Sequence, residues 1–262
     1  MIIDVHCHIG MSWIGWQRME YDMEKILKIY DKIGVDIACV NSWQINYDIE
    51  TGNKEVYAIA KKYPKRIIGF GIVNPRDRSR ALDEIKRCVE DYGFKGLKLH
   101  PASNNYMIDS TLVGPVIELA RSYSLPVLIH SSGSDGFSHP RMIGSLAGRY
   151  PEVNMIIGHM GTSAWLESVE MAKNHENIYL DTTAVPNEVY IIPIAIKVAG
   201  ADRIMWGTDS PMINAAVEMA KIKTADLYSL YGEVTEKDKG LILGGNIARI
   251  LGININKNRM SK

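Results

Sequence analysis

The sequence predicts an α/β fold: a single (β/α)8 barrel, regular or distorted, with an extra C-terminal helix. Short apolar runs alternate with amphipathic segments along the 262 residues, a pattern typical of repeated strand–helix units rather than of a meander. Eight such units in about 250 residues match the usual size of this barrel. Four of the apolar runs lead into the polar residues His6 and His8, His130, His159 and Asp209. These residues would meet at one face of a closed ring of parallel strands.

Eight apolar runs predict the strands. They cover residues 2–6, 36–40, 66–73, 96–100, 126–130, 154–159, 178–182 and 203–207. Between them, apolar residues recur three and four positions apart, as Met23, Ile26 and Tyr30 do, which predicts helices with one buried stripe. A final helix is expected over residues 235–251, with Thr235 as its N-cap. No linker rich in Pro, Ser or Gly divides the chain, so we expect one domain over residues 1–262.

The composition excludes several classes of partner. Lys plus Arg and Asp plus Glu are 30 each, so the net charge favours neither a nucleic acid nor a membrane surface. No apolar stretch is long enough to span a bilayer, and the N-terminus resembles no secretory signal, so we expect a cytoplasmic protein with a small-molecule ligand. Cys7, Cys39 and Cys88 are widely spaced in apolar patterns, which indicates reduced core residues rather than disulfides.

Two histidines, His6 and His8, stand at the end of the first apolar run. Because strand side chains alternate, both imidazoles should face the same way, with Cys7 and Val5 on the opposite face. Asp4 shares the register of His6 and is therefore expected to point inward beneath it. The irregular segments 9–21, 41–52, 101–109 and 131–139 follow strands and are predicted to be loops around a pocket.

Four short phrases resemble the amidohydrolase superfamily, and its amidohydrolase-2 branch most of all. They are Asp4-Val5-His6-Cys7-His8, Gly96-Leu97-Lys98-Leu99-His100-Pro101, Gly158-His159-Met160-Gly161 and Trp206-Gly207-Thr208-Asp209-Ser210-Pro211. This branch includes hydrolases and non-oxidative decarboxylases on a metal-dependent barrel. The resemblance implies that His6, His8, His130 and Asp209 bind one divalent metal, and that His159 stays unligated and moves protons.

The residue types agree with such a metal site. Neutral imidazoles and a carboxylate without thiolates suit zinc first and manganese or iron next, and leave a position open for water. Zinc lowers the pKa of its bound water from about 15.7 to roughly 7. Asp209 could hold that water and take its proton, while His159 could polarise a substrate or protonate a leaving group.

The role of Lys98 is open between a metal ligand and a residue of the substrate pocket. In two-metal members of the superfamily, a lysine on the fourth strand is carbamylated and bridges the ions. The phrase around Lys98 favours the one-metal branch, and Lys98 and His100 then become candidates for the substrate pocket. Trp13 and Arg141 are further candidates, because they lie in or just after segments predicted to surround the pocket. Trp13, Trp16 and Trp43 fit an oligomer interface equally well, which keeps a homodimer open.

Three functions remain open. The first is hydrolysis of an amide, lactone or ester of a small molecule by metal-activated water. The second is non-oxidative decarboxylation of an aromatic or unsaturated acid with the same ligands, which needs a cationic anchor such as Arg76, Arg141 or Lys98. The third is binding without turnover. We expect hydrolysis rather than decarboxylation, because the candidate anchors are few. We expect turnover rather than binding alone, because the set of ligands and proton carriers is complete.

Overall fold

One sheet organises the structure, a computed structural model that describes residues 1–14 and 17–254, and all side chains in them except those of residues 12–14, 17, 20 and 46. Its strand order is β2-β1-β3-β4-β5-β6-β7-β8-β9. The strands are β1 (Ile3–Ile14), β2 (Gln17–Tyr21), β3 (Ile37–Ser42), β4 (Ile67–Ile72), β5 (Gly96–Leu99), β6 (Val127–Ile129), β7 (Met155–Ile157), β8 (Ile178–Asp181) and β9 (Ile204–Met205).

The sheet curls into a barrel. β1 and β3 to β9 are successive parallel neighbours. The ring closes between its last and first strands, because Val5 N donates to Trp206 O at 3.1 Å and His8 N donates to Ser210 O at 2.9 Å. The predicted (β/α)8 barrel is therefore confirmed, and all eight predicted strands lie within it.

Helices connect the strands and cover the outside of the barrel. They are α1 (Met23–Ile33), α2 (Ile49–Lys62), α3 (Ser79–Lys86), α4 (Pro101–Asn104), α5 (Gly114–Ser122), α6 (Pro140–Arg149), α7 (Trp165–Asn174), α8 (Ile191–Ala199), α9 (Ala215–Lys223), α10 (Glu236–Gly240) and α11 (Asn246–Ile250). The apolar stripe of α1 is buried as predicted. Trp206 packs in the same layer between barrel and helices. In the described residues, no helix combines the length and apolar character needed to cross a bilayer.

The C-terminal helix predicted over residues 235–251 is present in three pieces. Thr235 caps α10 reciprocally with Asp238, and a π-helical turn at Leu241–Gly245 leads into α11. Ile247 and Ala248 pack against strand residues that include Ile3. This helix therefore closes the end of the barrel where the strands begin, and the opposite end is left for the loops that follow the strands.

A β-bulge in β1 changes the predicted facing of two residues. The register with β3 shifts between Asp4 and Cys7, so one extra residue is accommodated. Val5 packs inside the barrel with residues such as Met205, whereas Asp4 is hydrogen-bonded by Tyr30 of α1 on the outside. The expectation that Asp4 points inward and Val5 outward is wrong. Cys7 does face the helices as expected.

The segment after His8 is also not the predicted loop. β1 continues to Ile14 and pairs with β2 in an antiparallel hairpin. Trp13 pairs with Arg18 in this hairpin through its backbone, and Trp16 lies outside the described residues. The sequence does carry a signal for this strand, because Ile9, Met11 and Trp13 alternate with Gly10 and Ser12. The hairpin places two further chain segments beside the open end of the barrel.

Candidate metal and catalytic site

Three side chains converge at the open end of the barrel. His6 and His8 extend from β1, and Asp209 lies in the turn after β9; one ligand atom from each lies within 4.8 Å of the others. Nε2 of His8 is 2.7 Å and Nε2 of His6 is 3.6 Å from Oδ1 of Asp209. The predicted meeting of these residues, which come from opposite ends of the chain, is what the closed ring produces.

These donors fit a divalent metal ion. Ligands on bonds of about 2.0–2.1 Å lie roughly 3.3 Å apart around a tetrahedral ion, close to the spacing between His6 and Asp209. The shorter contact of His8 with Asp209 would open when an ion enters. His8 Nδ1 is buried without a hydrogen-bond partner among the described side chains and backbone. Two imidazoles and one carboxylate without thiolates suit zinc, manganese or iron.

The charge states also suit a cation. Burial lowers the pKa of His6 and of His8, so both imidazoles are neutral near pH 7 and offer lone pairs. Burial by itself raises the pKa of Asp209, but its hydrogen bond with His8 and the nearby His6 and His159 bring it well below the ordinary value. Asp209 therefore stays ionised, and the set has one negative charge to offer to a metal.

The turn that presents Asp209 is held by a buried network. Asp209 has φ of +52°, a left-handed conformation that costs roughly 1–2 kcal/mol for a residue other than glycine. Its N–H donates to His6 O at 2.7 Å. The preceding Thr208 N donates to Asp4 Oδ1 at 3.0 Å, and Tyr30 OH donates to the same carboxylate. Asp4 thus ties β1, α1 and the Asp209 turn together from outside the barrel.

Lys98 reaches the same site from β5. Its Nζ lies 2.7 Å from Nε2 of His6. Burial lowers the pKa of Lys98 to about 8, although Asp209 and Asp181 raise it. The amine therefore remains mostly protonated at neutral pH, and it would have to withdraw from His6 when a metal binds there.

His159 sits in an unusual turn after β7. His159, Met160, Gly161 and Thr162 all have positive φ, and the turn is fixed where Ser168 Oγ donates to Met160 O at 2.7 Å. Burial and then His6 lower the pKa of His159 to about 4. It rests in the neutral form, and its Nδ1 is buried without a hydrogen-bond partner among the described residues.

His130 lies beside His159 rather than against Asp209. Its Nδ1 is 3.1 Å from Nε2 of His159, and it belongs to neither of the potential metal groups found among the described residues. Its ring stacks on that of His100, with centroids 3.9 Å apart. Its assignment as a fourth ligand stays a prediction. His100 Nδ1 accepts from Ser103 N at 3.3 Å, so the proton of this neutral ring is on Nε2.

Asp181 is a residue whose role the sequence leaves open between a buried structural carboxylate and one that orients a metal ligand. It ends β8, is fully buried, and its Oδ2 lies 2.7 Å from Nδ1 of His6. Its Oδ1 accepts from Thr183 N at 3.0 Å. A polar residue at the end of an apolar strand was the only available signal, because no local pattern indicates a partner 175 positions away.

Six rings form a continuous arc at the mouth of the barrel. Adjacent members have centroids 3.9 to 5.0 Å apart. In order they are Trp43, His8, His6, His159, His130 and His100. Of the other candidates, Arg141 is exposed and its guanidinium lies 3.8 Å from Glu170 of α7, on the helical layer. The side chain of Trp13 lies outside the described part of the structure.

Comparison with known proteins gives a family match over almost the whole chain. The family model described as Amidohydrolase (Amidohydro_2) matches residues 3–253. A gamma-resorcylate decarboxylase from Polaromonas sp. (strain JS666 / ATCC BAA-500) is 24% identical over 268 residues, covering 83% of this chain and 80% of the relative.

Solved structures share the fold. The 5-carboxyvanillate decarboxylase of Sphingomonas paucimobilis superposes with a TM-score of 0.76 at 20% identity, covering 97% of this chain and 99% of that one. A dihydroxybenzoic acid decarboxylase from Polaromonas sp. JS666, with bound manganese and the inhibitor 2-nitroresorcinol, gives 0.76 at 19% identity and covers 98% of each chain.

Proposed function

Because the chain belongs to the amidohydrolase family, we propose that it is a metal-dependent decarboxylase of a small aromatic or unsaturated carboxylic acid. The named gamma-resorcylate relative supports this reaction class. Hydrolysis, which the sequence alone favours, has less support from the relatives and becomes the competing function.

The position of Lys98 is the observation that carries the proposal. A decarboxylase must bind an anionic carboxylate at its reactive centre. Lys98 is a fully buried cation whose Nζ is 2.7 Å from His6 Nε2, at the proposed metal site. The other cations considered from the sequence lie on the surface: Arg76 donates to Asn105 O at an exposed site, and Arg141 is exposed beside Glu170. A charge-assisted hydrogen bond from Lys98 would hold the substrate carboxylate.

The arc of rings supports a flat substrate. Trp43 stacks on His8 with centroids 4.3 Å apart, and His100 stacks on His130. Planar π systems pack well against such walls. His100 offers its Nε2–H as a directional donor, because its Nδ1 is already an acceptor. We therefore assign His100 and Trp43 to the substrate pocket together with Lys98.

His6, His8 and Asp209 would hold the metal, with His130 proposed as a further ligand. The ion would supply a positive centre that polarises a bound oxygen. The sequence favours zinc, and the manganese in the Polaromonas relative makes manganese the second ion to test. In the overall reaction, the bond between the carboxylate carbon and its neighbour breaks, carbon dioxide leaves, and the neighbouring carbon gains one proton.

His159 is the group that we assign to move this proton. It lies between the metal ligands and His130, with ring centroids 5.0 Å from His6 and 5.0 Å from His130. Because burial and His6 lower its pKa to about 4, His159 rests in the neutral form, and it would take a proton from water before passing that proton to the carbon. Asp209 stays ionised and could assist by accepting a proton. Neither residue needs to move far, because both are buried at the site.

An assay of released carbon dioxide tests the proposal. Protein loaded with zinc or with manganese is incubated with dihydroxybenzoates and carboxyvanillates, and headspace carbon dioxide is measured by mass spectrometry. Parallel lactone, ester and amide panels are followed by the acid or amine that they release. We expect carbon dioxide from at least one acid, and none from metal-free protein or from the Asp209→Asn variant.

The other outcomes decide against decarboxylation. Release of new acid or amine without carbon dioxide would establish the competing hydrolase. No turnover in either panel, with one metal bound per chain, would instead favour a barrel that binds its ligand without reaction.

A further inference from the structure

The carboxylate of Asp181 contacts two parts of the site at once. Its Oδ2 lies 2.7 Å from His6 Nδ1 and 3.3 Å from the backbone N of His159. Its other oxygen accepts from Thr183 N at 3.0 Å and from Thr183 Oγ1 at 2.6 Å. The side chain is fully buried, and all four contacts come from donors. Asp181 thus stands behind the site, on the far side of the His6 ring from Asp209.

We propose that Asp181 is a positioning residue that sets the metal affinity of His6 and holds the backbone of His159. A neutral imidazole that donates its Nδ1 proton to Asp181 must have its lone pair on Nε2. That is the atom of His6 nearest to Asp209, at 3.6 Å. The carboxylate also makes the imidazole a more basic ligand, as partners of metal-binding histidines do.

The contact with His159 gives Asp181 a second role. His159 has φ of +58° and ψ of +20°, a left-handed conformation that is strained for a residue other than glycine. Its backbone N–H is held by Asp181 Oδ2. One carboxylate therefore aligns the metal ligand and the proton carrier with each other.

Asp181 is better explained as a partner of His6 than as a metal ligand. His6, His159 and Asp181 do form a second group whose ligand atoms lie within 4.8 Å of one another. However, the 2.7 Å separation of Asp181 from His6 Nδ1 is that of a hydrogen bond. Both oxygens of Asp181 also accept from other donors, from Thr183 N, Thr183 Oγ1 and the backbone N of His159, so the carboxylate has its partners without an ion. A neutral imidazole has only one ring nitrogen with a free lone pair. His6 could therefore not bind one ion through Nε2 and a second ion through Nδ1.

The surroundings of Asp181 leave little room for another arrangement. A Cβ at Gly207 would overlap Asp181 Oδ1, and it would lie 2.5 Å from Thr183 Oγ1 and 3.0 Å from His6 Cβ. The backbone of Gly207 therefore packs directly against the carboxylate of Asp181, the hydroxyl of Thr183 and the side chain of His6. The position of Asp181 is fixed by its hydrogen bonds and by this close approach together.

Metal affinity without substrate tests the proposal. Asp181→Asn preserves the shape but removes the negative charge, and Thr183→Val removes one hydrogen bond to Asp181 while leaving the carboxylate. Each apoprotein is equilibrated in buffers of defined free zinc or manganese, and bound metal is measured by mass spectrometry. Asp83→Asn, an exposed carboxylate of α3 beside Lys86, is the matched control. We expect about 10 to 100-fold weaker binding for Asp181→Asn, a smaller loss for Thr183→Val, and no change for the control.

The tautomer of His6 gives a second readout, which a purely structural role would not move. In metal-free protein with ¹⁵N-labelled histidine, His6 should show a protonated Nδ1 in the wild type, with that proton shifted strongly upfield in Asp181→Asn. The resonance is assigned by its absence in His6→Gln. Wild-type metal affinity in both folded variants would overturn the proposal, as would a His6 protonated on Nε2 in the wild type. Neither measurement involves turnover, so failure of the proposed decarboxylation would leave both results interpretable.

Discussion

The amine of Lys98 lies 2.7 Å from Nε2 of His6, although 92 residues of sequence separate them. This contact places a cation at the point where His6 would offer its lone pair to a metal. It also makes the two roles considered for Lys98 experimentally separable. As a substrate anchor, Lys98 withdraws from His6 and stays an amine; as a carbamate, it would become a ligand itself.

Replacing Lys98 by methionine should leave one metal per chain and raise KM for the carboxylic acid by about 10 to 100-fold, because a charge-assisted hydrogen bond is worth about 1.5–3 kcal/mol. Metal content by mass spectrometry and steady-state kinetics measure the two effects. Lys95→Met, at an exposed position of the same segment, should change neither. A fall from two metals to one or none would show instead that Lys98 is a bridging carbamate.

Asp209→Asn and His130→Ala should both lower metal content and turnover. Residues that only orient a metal ligand cost about 10 to 100-fold in metal affinity when they are replaced. Loss of a ligand itself should cost more, so we expect a fall of more than about a hundredfold. His130 is the sharper test, because it contacts His159 rather than Asp209 in this structure. Dialysis against buffered metal followed by mass spectrometry measures the occupancy. Full occupancy in His130→Ala would remove it from the ligand set.

His159→Asn should keep its metal and lose the chemistry. We expect kcat to fall by about 10²–10⁴, the usual contribution of a positioned proton carrier, with metal affinity within a few-fold of the wild type. Single-turnover rates and metal titration separate the two quantities. An empty metal site in this variant would show that His159 is a ligand, and the proposed division of roles would be wrong.

Tyr30→Phe should destabilise the fold. The phenol donates to the buried Asp4 carboxylate. Burial raises the pKa of Asp4 to about 7, so the carboxylate is mostly ionised at pH 8, where a hydrogen bond to a charged group contributes about 1.5–3 kcal/mol. Tyr123→Phe removes a similar bond to Glu90 at an exposed site, so a loss below about 1 kcal/mol is expected there. Urea unfolding of both variants compares them directly. Equal losses would mean that the Asp4 network does not anchor the Asp209 turn.

Glu218→Gln should alter how stability depends on pH. Burial raises the pKa of Glu218 from 4.5 to about 7, although Lys221 lowers it. The folded state keeps this proton to a higher pH than the unfolded state, so the stability that it contributes is present below about pH 4.5 and lost as the pH rises through about 7. The variant lacks this loss. The difference in free energy of unfolding, variant minus wild type, should therefore increase by up to roughly 3 kcal/mol from about pH 4.5 to pH 8.

A matched pair in the same chain provides the control for Glu218. Glu218 and Lys221 are 2.8 Å apart with the glutamate 2% exposed, whereas Glu236 and Lys239 are 2.9 Å apart with the glutamate 86% exposed. In each pair the glutamate precedes the lysine by three residues on one helix. Glu236→Gln should show little of this pH dependence in urea unfolding at the same pH values. The same pH dependence in both variants would exclude burial as its cause.

The sequence by itself determined the barrel and the chemical types of the residues at its candidate metal site. Apolar runs that lead into His130, His159 or Asp209 are local signals, and parallel strands in a ring must bring such ends to one face. The cap at Thr235 and the buried stripe of α1 are likewise local, because they depend on residues within a few positions of one another.

Only the tertiary structure decided how the site is arranged. The bulge that turns Asp4 outward depends on pairing between β1 and β3, and the contacts of His6 with Lys98 and Asp181 join strands far apart in the chain. Periodicity reports which residues are apolar, but it carries no information on which polar groups are brought within hydrogen-bond distance when the ring closes. That distance is set by the register and curvature of the whole sheet, to which every strand contributes.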